Sequence, residues 1–556
     1  MAPSGLESSW RTDLAARAVY SEGAGIARVL PRGVIVAESA DAVPGIVLGA
    51  REAGLPLIPR GSGSGMPGGA VGDGVILDLS RLGRIAPVEL ESRRVWAGAG
   101  TVRNTVDAAA RAAGLRLPVD PSSGAFCTVG GMASTNAAGP HTLRFGSMRS
   151  WVAALDCVFD DGTRAVIHRG APPPAGIAAI DRFLAEAHDA IVAAPASLLE
   201  HPGVRKESSG YALAAYARSG ELIDLLVGSE GTLVIIVAVE LSLAPLPGAT
   251  SSVLAEFRTL EEAVDGAIRA RESGASACEL LDRTFLDVAA RGGAGTSVAP
   301  STDAVLLAEV EGDDEAAAAR GARALGESFE EAGATSVRLA IDPAMEHELW
   351  SLRHAASPTL ARLDPELKSM QFIEDGAVPP ERLPEYVRGV RAALERRGLR
   401  GVIFGHAGDA HAHVNPLVDV HLPDWRDRVT GLLDDVVALT ARLGGTLAGE
   451  HGDGRLRTPL LERVWPPETL ELFALVKRAF DPAAIFNPGV KVPLPHQHAL
   501  GAIKYDPSLP PLPPAARAAL DAVERDRAYA TSRLELLEEE RIAARPGPTP
   551  PPGPTA

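Results

Sequence analysis

A chain of 556 residues is too long to fold around one core and predicts roughly three or four structural units. With 46% hydrophobic and 4% aromatic residues, and no run of the roughly 18 apolar residues a membrane helix needs, it reads as a soluble globular protein. The net charge of -17 argues against nucleic acid as a partner, because a phosphate backbone is bound through basic patches. The N-terminus lacks the apolar core of a signal peptide, which makes the cytoplasm the default location. Cys127, Cys157 and Cys278 are scattered without CxxC spacing, so they read as small buried hydrophobes and not as disulfide partners or iron–sulfur ligands.

The opening segment ends at Ser39–Pro44 and leads into a helix expected over Ala42–Gly54. Leu57–Leu79 then reads as strand, glycine-rich loop, strand, with Arg60, Gly61, Ser62, Gly63, Ser64, Gly65, Gly68 and Gly69 in the loop. Residues without Cβ let the backbone turn and approach closely, and exposed N–H groups can cradle a diphosphate. Gly63-x-Gly65-x-x-Gly68 spells a dinucleotide fingerprint, but that fingerprint must open a helix, and Pro67, Gly68 and Gly69 forbid one here. Arg93–Gly100 predicts a strand, and Thr101 is expected to cap a helix over Val102–Ala113.

Pro121–Gly146 is long for a connection inside a compact domain, and its Gly130-Gly131 pair, Asn136 and Gly139 offer close approach and amide groups. Trp151–Arg164 predicts a hairpin with Asp161-Gly162 at its turn. A third loop of small residues, Leu226–Leu233, precedes a strand over Val234–Leu243. From about Pro245 the pattern changes to strand Ser252–Phe257, helix Glu261–Ser273, strand Ala304–Glu311 and helix Ala316–Ala332, which predicts an α+β unit with a sheet covered on one face. After Lys491 the chain turns proline-rich, shows a charged helical pattern from Ala515 to about Ile542, and ends in a dozen residues expected to be disordered.

Three polar constellations stand inside this framework. Phe404–Pro416 holds His406, His411, His413 and Asn415, and alternation puts the last three on one face of a strand. Histidines at that density are read either as metal ligands or as a structural cluster. In Gly449–Gly454 a carboxylate, Glu450, stands beside an imidazole, His451, between glycines, a poor packing choice but a good place for a metal ligand next to a base. Arg353 and Lys368 are either solvated charges or an anion clamp.

Together these residues resemble the FAD-dependent oxidases and dehydrogenases of the vanillyl-alcohol oxidase type, in the branch of glycolate oxidase flavin subunits, D-lactate dehydrogenases and D-2-hydroxyglutarate dehydrogenases. The resemblance runs from about Ala16 to Val492, carried by Pro59–Gly69, Pro121–Gly146, Arg205–Leu213, Gly228–Leu233, Gly405–Pro416, Gly449–Gly454 and Phe486–Lys491. It implies an α+β fold: a two-subdomain FAD-binding domain (residues 1–244), an α+β cap with an antiparallel sheet (245–448), a return to the FAD domain (449–496) and a tail (497–556). FAD contacts are expected from the first loop, from Pro121, Ser122, Thr128, Gly130, Gly131, Ser134, Asn136 and Gly139, from Gly228, Glu230 and Gly231, and from Asn487 and Lys491. The flavin is expected without a covalent bond, since the first loop has no histidine or cysteine and the second offers only Cys127 and His141.

By the same resemblance His406, His413 and Glu450 hold one divalent metal, zinc or manganese. His451 takes the substrate hydroxyl proton, Arg353 and Lys368 hold the carboxylate, and Asn415 completes the catalytic set. Four positions depart from the pattern: Gly408-Asp409-Ala410-His411 replaces the common Gly-Asp-Gly-Asn, and Glu207 and Val234 replace an asparagine and a glycine. The implied activity is oxidation of a D-2-hydroxy acid to the 2-oxo acid. Electrons pass to a separate acceptor, an iron–sulfur subunit, electron-transfer flavoprotein, cytochrome or quinone. The rivals are a non-catalytic flavin subunit of a glycolate-oxidase-like complex and an alcohol oxidase of the same superfamily. A cytoplasmic protein, free or peripheral at the inner face of the membrane, is expected, and homo-oligomerisation is left open.

Overall fold

The structure, a computed structural model, describes residues 10–291, 298–340, 342–360 and 367–537. Its first sheet runs in the order Trp10–Arg11, Gly33–Val36, Val75–Asp78, Leu57–Arg60, with the last three strands parallel. Those three are almost wholly apolar because the sheet is buried on both faces. Ile35, Leu57, Val75 and Leu77 face the helix Val43–Glu52, while Val34, Ile58 and Ile76 face Ala18 and Val19 on one side and Leu520 and Val523 from the far end of the chain on the other. The tail is therefore part of the core. Its helix, Pro514–Asp526, stops at Arg527, whose φ of 51° is left-handed, so the helix expected as far as Ile542 is shorter and lies with its apolar face on the sheet. The terminal segment expected to be disordered falls outside the described residues.

A second sheet, Arg94–Gly98, Ile235–Ser242, Val152–Val158, Arg164–His168, is antiparallel throughout. The hairpin turns at Gly162, whose φ of +77° requires the missing Cβ. The helix after the first of these strands spans Arg103–Ala112, but Thr101 does not cap it: Val102 is the capping residue and Thr101 Oγ1 donates instead to the Arg84 carbonyl at 3.3 Å. All three cysteines are buried and free.

The third sheet carries eight antiparallel strands. Seven run in the order Ser336–Ala340, Ala249–Phe257, Ala304–Gly312, Ala277–Asp282, Arg400–His406, His411–Asp419, Leu367–Ser369, and Gly376–Ala377 also pairs with His411–Asp419. Four helices, Leu260–Glu272, Glu315–Glu331, Leu383–Arg396 and Trp425–Arg442, pack on one face. The other face is not bare, as the sequence pattern implied. Leu254, Leu281, Val305, Leu307 and Phe404 on that side hold the helices Arg283–Arg291 and Pro343–Leu360. Beyond this apolar patch the same face turns polar at Glu279, His406, His411 and His413, and the site begins there.

Leaving this sheet, the chain returns to the first one. Leu57 N donates to the Ile485 carbonyl at 2.7 Å and Asn487 N to the Leu57 carbonyl at 2.9 Å, which extends the parallel sheet by one bridge.

Candidate active site

The first glycine loop passes from Leu57–Arg60 into Val75–Asp78 with no helix between, in accord with rejecting the helix-opening fingerprint. A Cβ on Gly61 would collide with Thr128 Oγ1, so the absent side chain lets the first and second loops close on each other. A Cβ on Gly65 would meet nothing within 4 Å, and among the described residues none of the N–H groups from Gly61 to Gly65 donates to a protein acceptor. A run of unpaired N–H donors that opens onto free space at Gly65 suits an anionic diphosphate. The loops around it fit FAD on that ground.

Several residues expected to touch the flavin also bond within the protein and tie the loops together. Arg60 is 2% exposed and its guanidinium donates to the carbonyls of Tyr20, Glu22 and Ala70. Thr128 caps the helix Val129–Thr135 by accepting from Gly131 N, and Asn136, left-handed at φ 53°, accepts from Ser147 Oγ and Arg149 N. Glu230 N donates to the Ser134 carbonyl at 2.8 Å and Gly228 N to the Ala133 carbonyl at 2.9 Å, joining the third loop to the second. The Glu230 carboxylate accepts from Asp453 N and Gly454 N, and Lys491 Nζ lies 2.9 Å from it. Lys491 also donates to Asp453 and to the Ser208 carbonyl, so its ammonium is used up inside the protein. Asn487 Nδ2 donates to the carbonyls of Gly69 and Glu230. From the tail, Arg533 Nη2 donates to the Ser62 carbonyl at 3.1 Å, and the Tyr529 ring lies 5.2 Å from that of Phe126 in the second loop.

The polar centre lies where the third sheet meets the returning loop Gly449–Gly454. His406 pairs across the hairpin with His411 and across the other edge with Glu279, and Phe404 pairs with His413. The turn between them needs Ala410 at φ 53°, a left-handed conformation that costs a residue with a Cβ about 1–2 kcal/mol. Glu450 enters from the loop, its N–H and that of His451 donating to the Asp375 carboxylate. Glu450 Oε1 lies 3.5 Å from His406 Nε2, 3.3 Å from His413 Nε2 and 3.6 Å from His451 Nε2, and Oε2 lies 3.9 Å from His411 Nδ1. One ligand atom from each of His406, His411, His413 and Glu450 lies within 4.8 Å of all the others, and all four residues are buried.

Carboxylates set the charge of these rings. Burial opposes the charged form of His406, yet Glu279 and Glu450 raise it to about 9. Burial likewise opposes charge on His451, which Glu374 and Asp375 lift to about 10. Burial dominates at His411 and lowers it to about 4. Glu450 is buried too, but Lys206 and His406 hold it well below the usual carboxylate range.

Of the residues expected at this centre, His406, His413, Glu450 and His451 converge, and His451 keeps 30% of its side chain exposed. Arg353 reaches the cluster through Glu279, donating from Nε at 2.8 Å, with its guanidinium 4.6 Å above the Phe404 ring. Asn415 follows His413 on the same face, opposite Val402. Lys368 does not join them. It pairs with Val418, and its strand neighbour Met370 packs in the core beneath the opposite face, so the register turns Lys368 away from the histidines.

Sequence reasoning missed Lys206, whose Nζ lies 3.0 Å from Glu450 Oε2, and also Glu279, Glu374, Asp375 and Arg457. A signal was present in two of these cases. Glu279 interrupts a strand otherwise buried on both faces, and Glu374-Asp375 puts two acids in an apolar stretch. A charge there demands a partner.

Residues 31–167 match the family described as FAD binding domain and residues 246–490 the one described as FAD linked oxidases, C-terminal domain. The D-lactate dehydrogenase of Archaeoglobus fulgidus is 30% identical over 82% of this chain and 90% of its own length. The glycolate oxidase subunit GlcD of Bacillus subtilis is 28% identical over 83% and 88%. A D-2-hydroxyglutarate dehydrogenase of Pseudomonas putida is 30% identical over 90% of this chain, which spans 52% of that longer protein. Among solved structures, 4-ethylphenol oxidase from Gulosibacter chungangensis superposes with a TM-score of 0.65 at 14% identity, covering 89% of this chain and 99% of the other. An alkyldihydroxyacetonephosphate synthase gives 0.60 at 15% identity, covering 87% and 82%. These two share the fold.

Proposed function

The chain belongs to the family of FAD-linked oxidases and dehydrogenases, and from that premise we propose that it oxidises a D-2-hydroxy acid to the 2-oxo acid and hands the electrons to a separate acceptor. The observation that carries this reading is the convergence of three imidazoles and Glu450 on one point, with a fourth, partly exposed ring, His451, at its edge. FAD in the glycine loops supplies a two-electron acceptor. His406, His413 and Glu450 would hold one divalent cation, zinc or manganese, which would supply a Lewis acid for the hydroxyl oxygen.

The protein's own groups do the rest. His451 Nδ1 is tied to Glu374 at 2.7 Å, which leaves Nε2 to take the substrate hydroxyl proton. The pull of Glu374 and Asp375 makes that nitrogen a strong base, and a cation beside Glu450 would return the ring towards the neutral form it must start from. Arg353, steadied by Glu279, is the counter-charge for the substrate carboxylate. Lys368 drops out of that clamp on register.

In this reading residues 1–244 bind FAD, 245–448 form the cap, 449–496 return to the FAD domain and 497–556 form the tail. No helix among the described residues is long and apolar enough to cross a membrane. This reading places the protein in the cytoplasm, free or peripheral at the inner face of the membrane. The acceptor in this reading is a protein or a quinone, with oxygen used poorly.

Metal analysis of purified protein, paired with anaerobic single-turnover reduction of the flavin by a panel of D- and L-2-hydroxy acids, tests the proposal. His406→Ala and Glu450→Gln should lose metal and activity together. His451→Ala should keep metal and FAD but reduce its flavin roughly a hundredfold or more slowly, the scale of a lost general base. Full-rate reduction in a metal-free preparation, or in His451→Ala, would overturn the mechanism.

A further inference from the structure

We infer that the cation at this centre is held by four side chains of this chain, with His411 Nδ1 as a donor equal to His406, His413 and Glu450. The inference rests on the reading above that one divalent cation binds there.

The three rings are prepared in the same way. Each has one nitrogen bonded outward: His406 Nδ1 to Glu279 Oε1 at 2.5 Å, His413 Nδ1 to the Glu374 carbonyl at 2.8 Å, and His411 Nε2 to Asp375 Oδ1 at 2.8 Å. An outward N–H bonded to a carboxylate or carbonyl fixes the tautomer and leaves the inward nitrogen with its lone pair, the arrangement that supports metal-bound histidines. For His411 the inward atom is Nδ1. The residue is 1% exposed, and Nδ1 is buried with no hydrogen-bond partner among the described residues. A buried acceptor left unpaired is costly unless something else binds it. It points towards Glu450 Oε2 at 3.9 Å, and its ring centroid lies 4.6 Å from that of His413 and 5.4 Å from that of His406.

The position is one where the related pattern spells asparagine and this chain spells histidine. Exchanging an amide for an imidazole turns a set of two nitrogens and a carboxylate into three nitrogens and a carboxylate. Such a set favours zinc or cobalt over manganese, which prefers oxygen ligands.

Equilibrium dialysis of chelator-treated protein against zinc and against manganese, with elemental analysis, is the test, applied to wild type and His411→Asn with FAD content as a check on folding. The expected result is one zinc per wild-type chain and zinc affinity lowered in His411→Asn by roughly a hundredfold, at least the scale of a lost supporting partner. Manganese binding should change much less, so that the zinc preference collapses. Wild type that binds one zinc while His411→Asn binds it equally tightly would overturn this inference and leave the three-ligand reading standing. Wild type that binds no divalent cation would overturn both. X-ray absorption fine structure of the wild-type zinc protein needs no variant: three histidine nitrogens support four-ligand binding and two refute it.

Discussion

Replacing Lys491 by methionine removes an ammonium that is 1% exposed and lies 2.9 Å from Glu230 Oε1, 3.0 Å from Asp453 Oδ2 and 2.7 Å from the Ser208 carbonyl. Methionine keeps most of the stem volume, so the loss is electrostatic rather than a cavity. Two buried carboxylates are left facing each other. Breaking a buried ion pair from one side costs about 3–5 kcal/mol, and here one cation serves two anions, which argues for the upper part of that range. The N–H groups of Asp453 and Gly454 still support Glu230, which trims the cost. At about 2–4 °C per kcal/mol for a cooperative unit of 150–250 residues, melting at pH 7 should fall by roughly 8–20 °C. Flavin fluorescence during a thermal scan follows the event, because Glu230 and Asn487 tie the FAD loops to this cluster. The sign of the pH effect is fixed as well. Burial, aided by Asp453 and opposed by Lys491, already holds the Glu230 carboxyl above its usual value. Without Lys491 it rises further, so towards pH 5 the folded variant takes up a proton and its deficit shrinks. Adding Glu230→Gln to Lys491→Met should recover part of the loss at pH 7. A Lys491→Met protein that melts within about 2 °C of wild type at pH 7 would refute this account of the cluster.

His141 bonds Asp120 through Nδ1 at 2.6 Å and Glu309 through Nε2 at 2.8 Å, tying the second FAD loop to the third sheet. Burial disfavours its charge, but Asp120 and Glu309 raise it to about 11, so its stabilisation is complete below about pH 6.5 and is lost as pH rises towards 11. His141→Gln should therefore cost more melting temperature at pH 6 than at pH 9.5, and an equal cost at both would count against a charged imidazole. Arg533→Met should speed FAD release from intact protein by roughly tenfold, because it removes a buried guanidinium that braces Ser62 in the diphosphate loop; an unchanged rate in flavin-release fluorimetry would show that the tail only covers the sheet. Glu279→Gln, which weakens the outward bond of His406, should lower metal affinity by roughly 10–100-fold in dialysis while FAD content holds, and undiminished retention would deny Glu279 that supporting role.

The parts of this molecule legible in its sequence are those written locally. Glycine runs announced close backbone approach, and alternation placed His411, His413 and Asn415 on one face of a strand that does run His411–Asp419. The parts that were not legible depend on pairs far apart in the chain. Glu279 meets His406 across 127 residues and Lys206 meets Glu450 across 244, and no local pattern marks such partners. Lys368 shows the converse limit. Its charge suggested an anion clamp, but period-two geometry sends it to the same face as Val418, and only the register reveals which face that is. The helix at Pro514–Asp526 was read for its charges, when Leu520 and Val523 decide its place by covering Val34, Ile58 and Ile76.

The charges around the centre argue together for what the histidines alone only suggest. Glu279, Glu374, Asp375, Asp409 and Glu450 are five buried carboxylates, and the permanent cations paired with them are Lys206, Arg205, Arg353 and Arg457. With neutral imidazoles the group is one positive charge short, and that shortfall is what raises His406 and His451. A divalent cation alone would overshoot by one. A divalent cation together with a monoanionic hydroxy acid would close the balance and favour the neutral form of His406 and His451. Metal, substrate and base would thus be coupled by charge: binding the first two would create the protonation state the third needs, so that the proton acceptor would be readied when its substrate is in place.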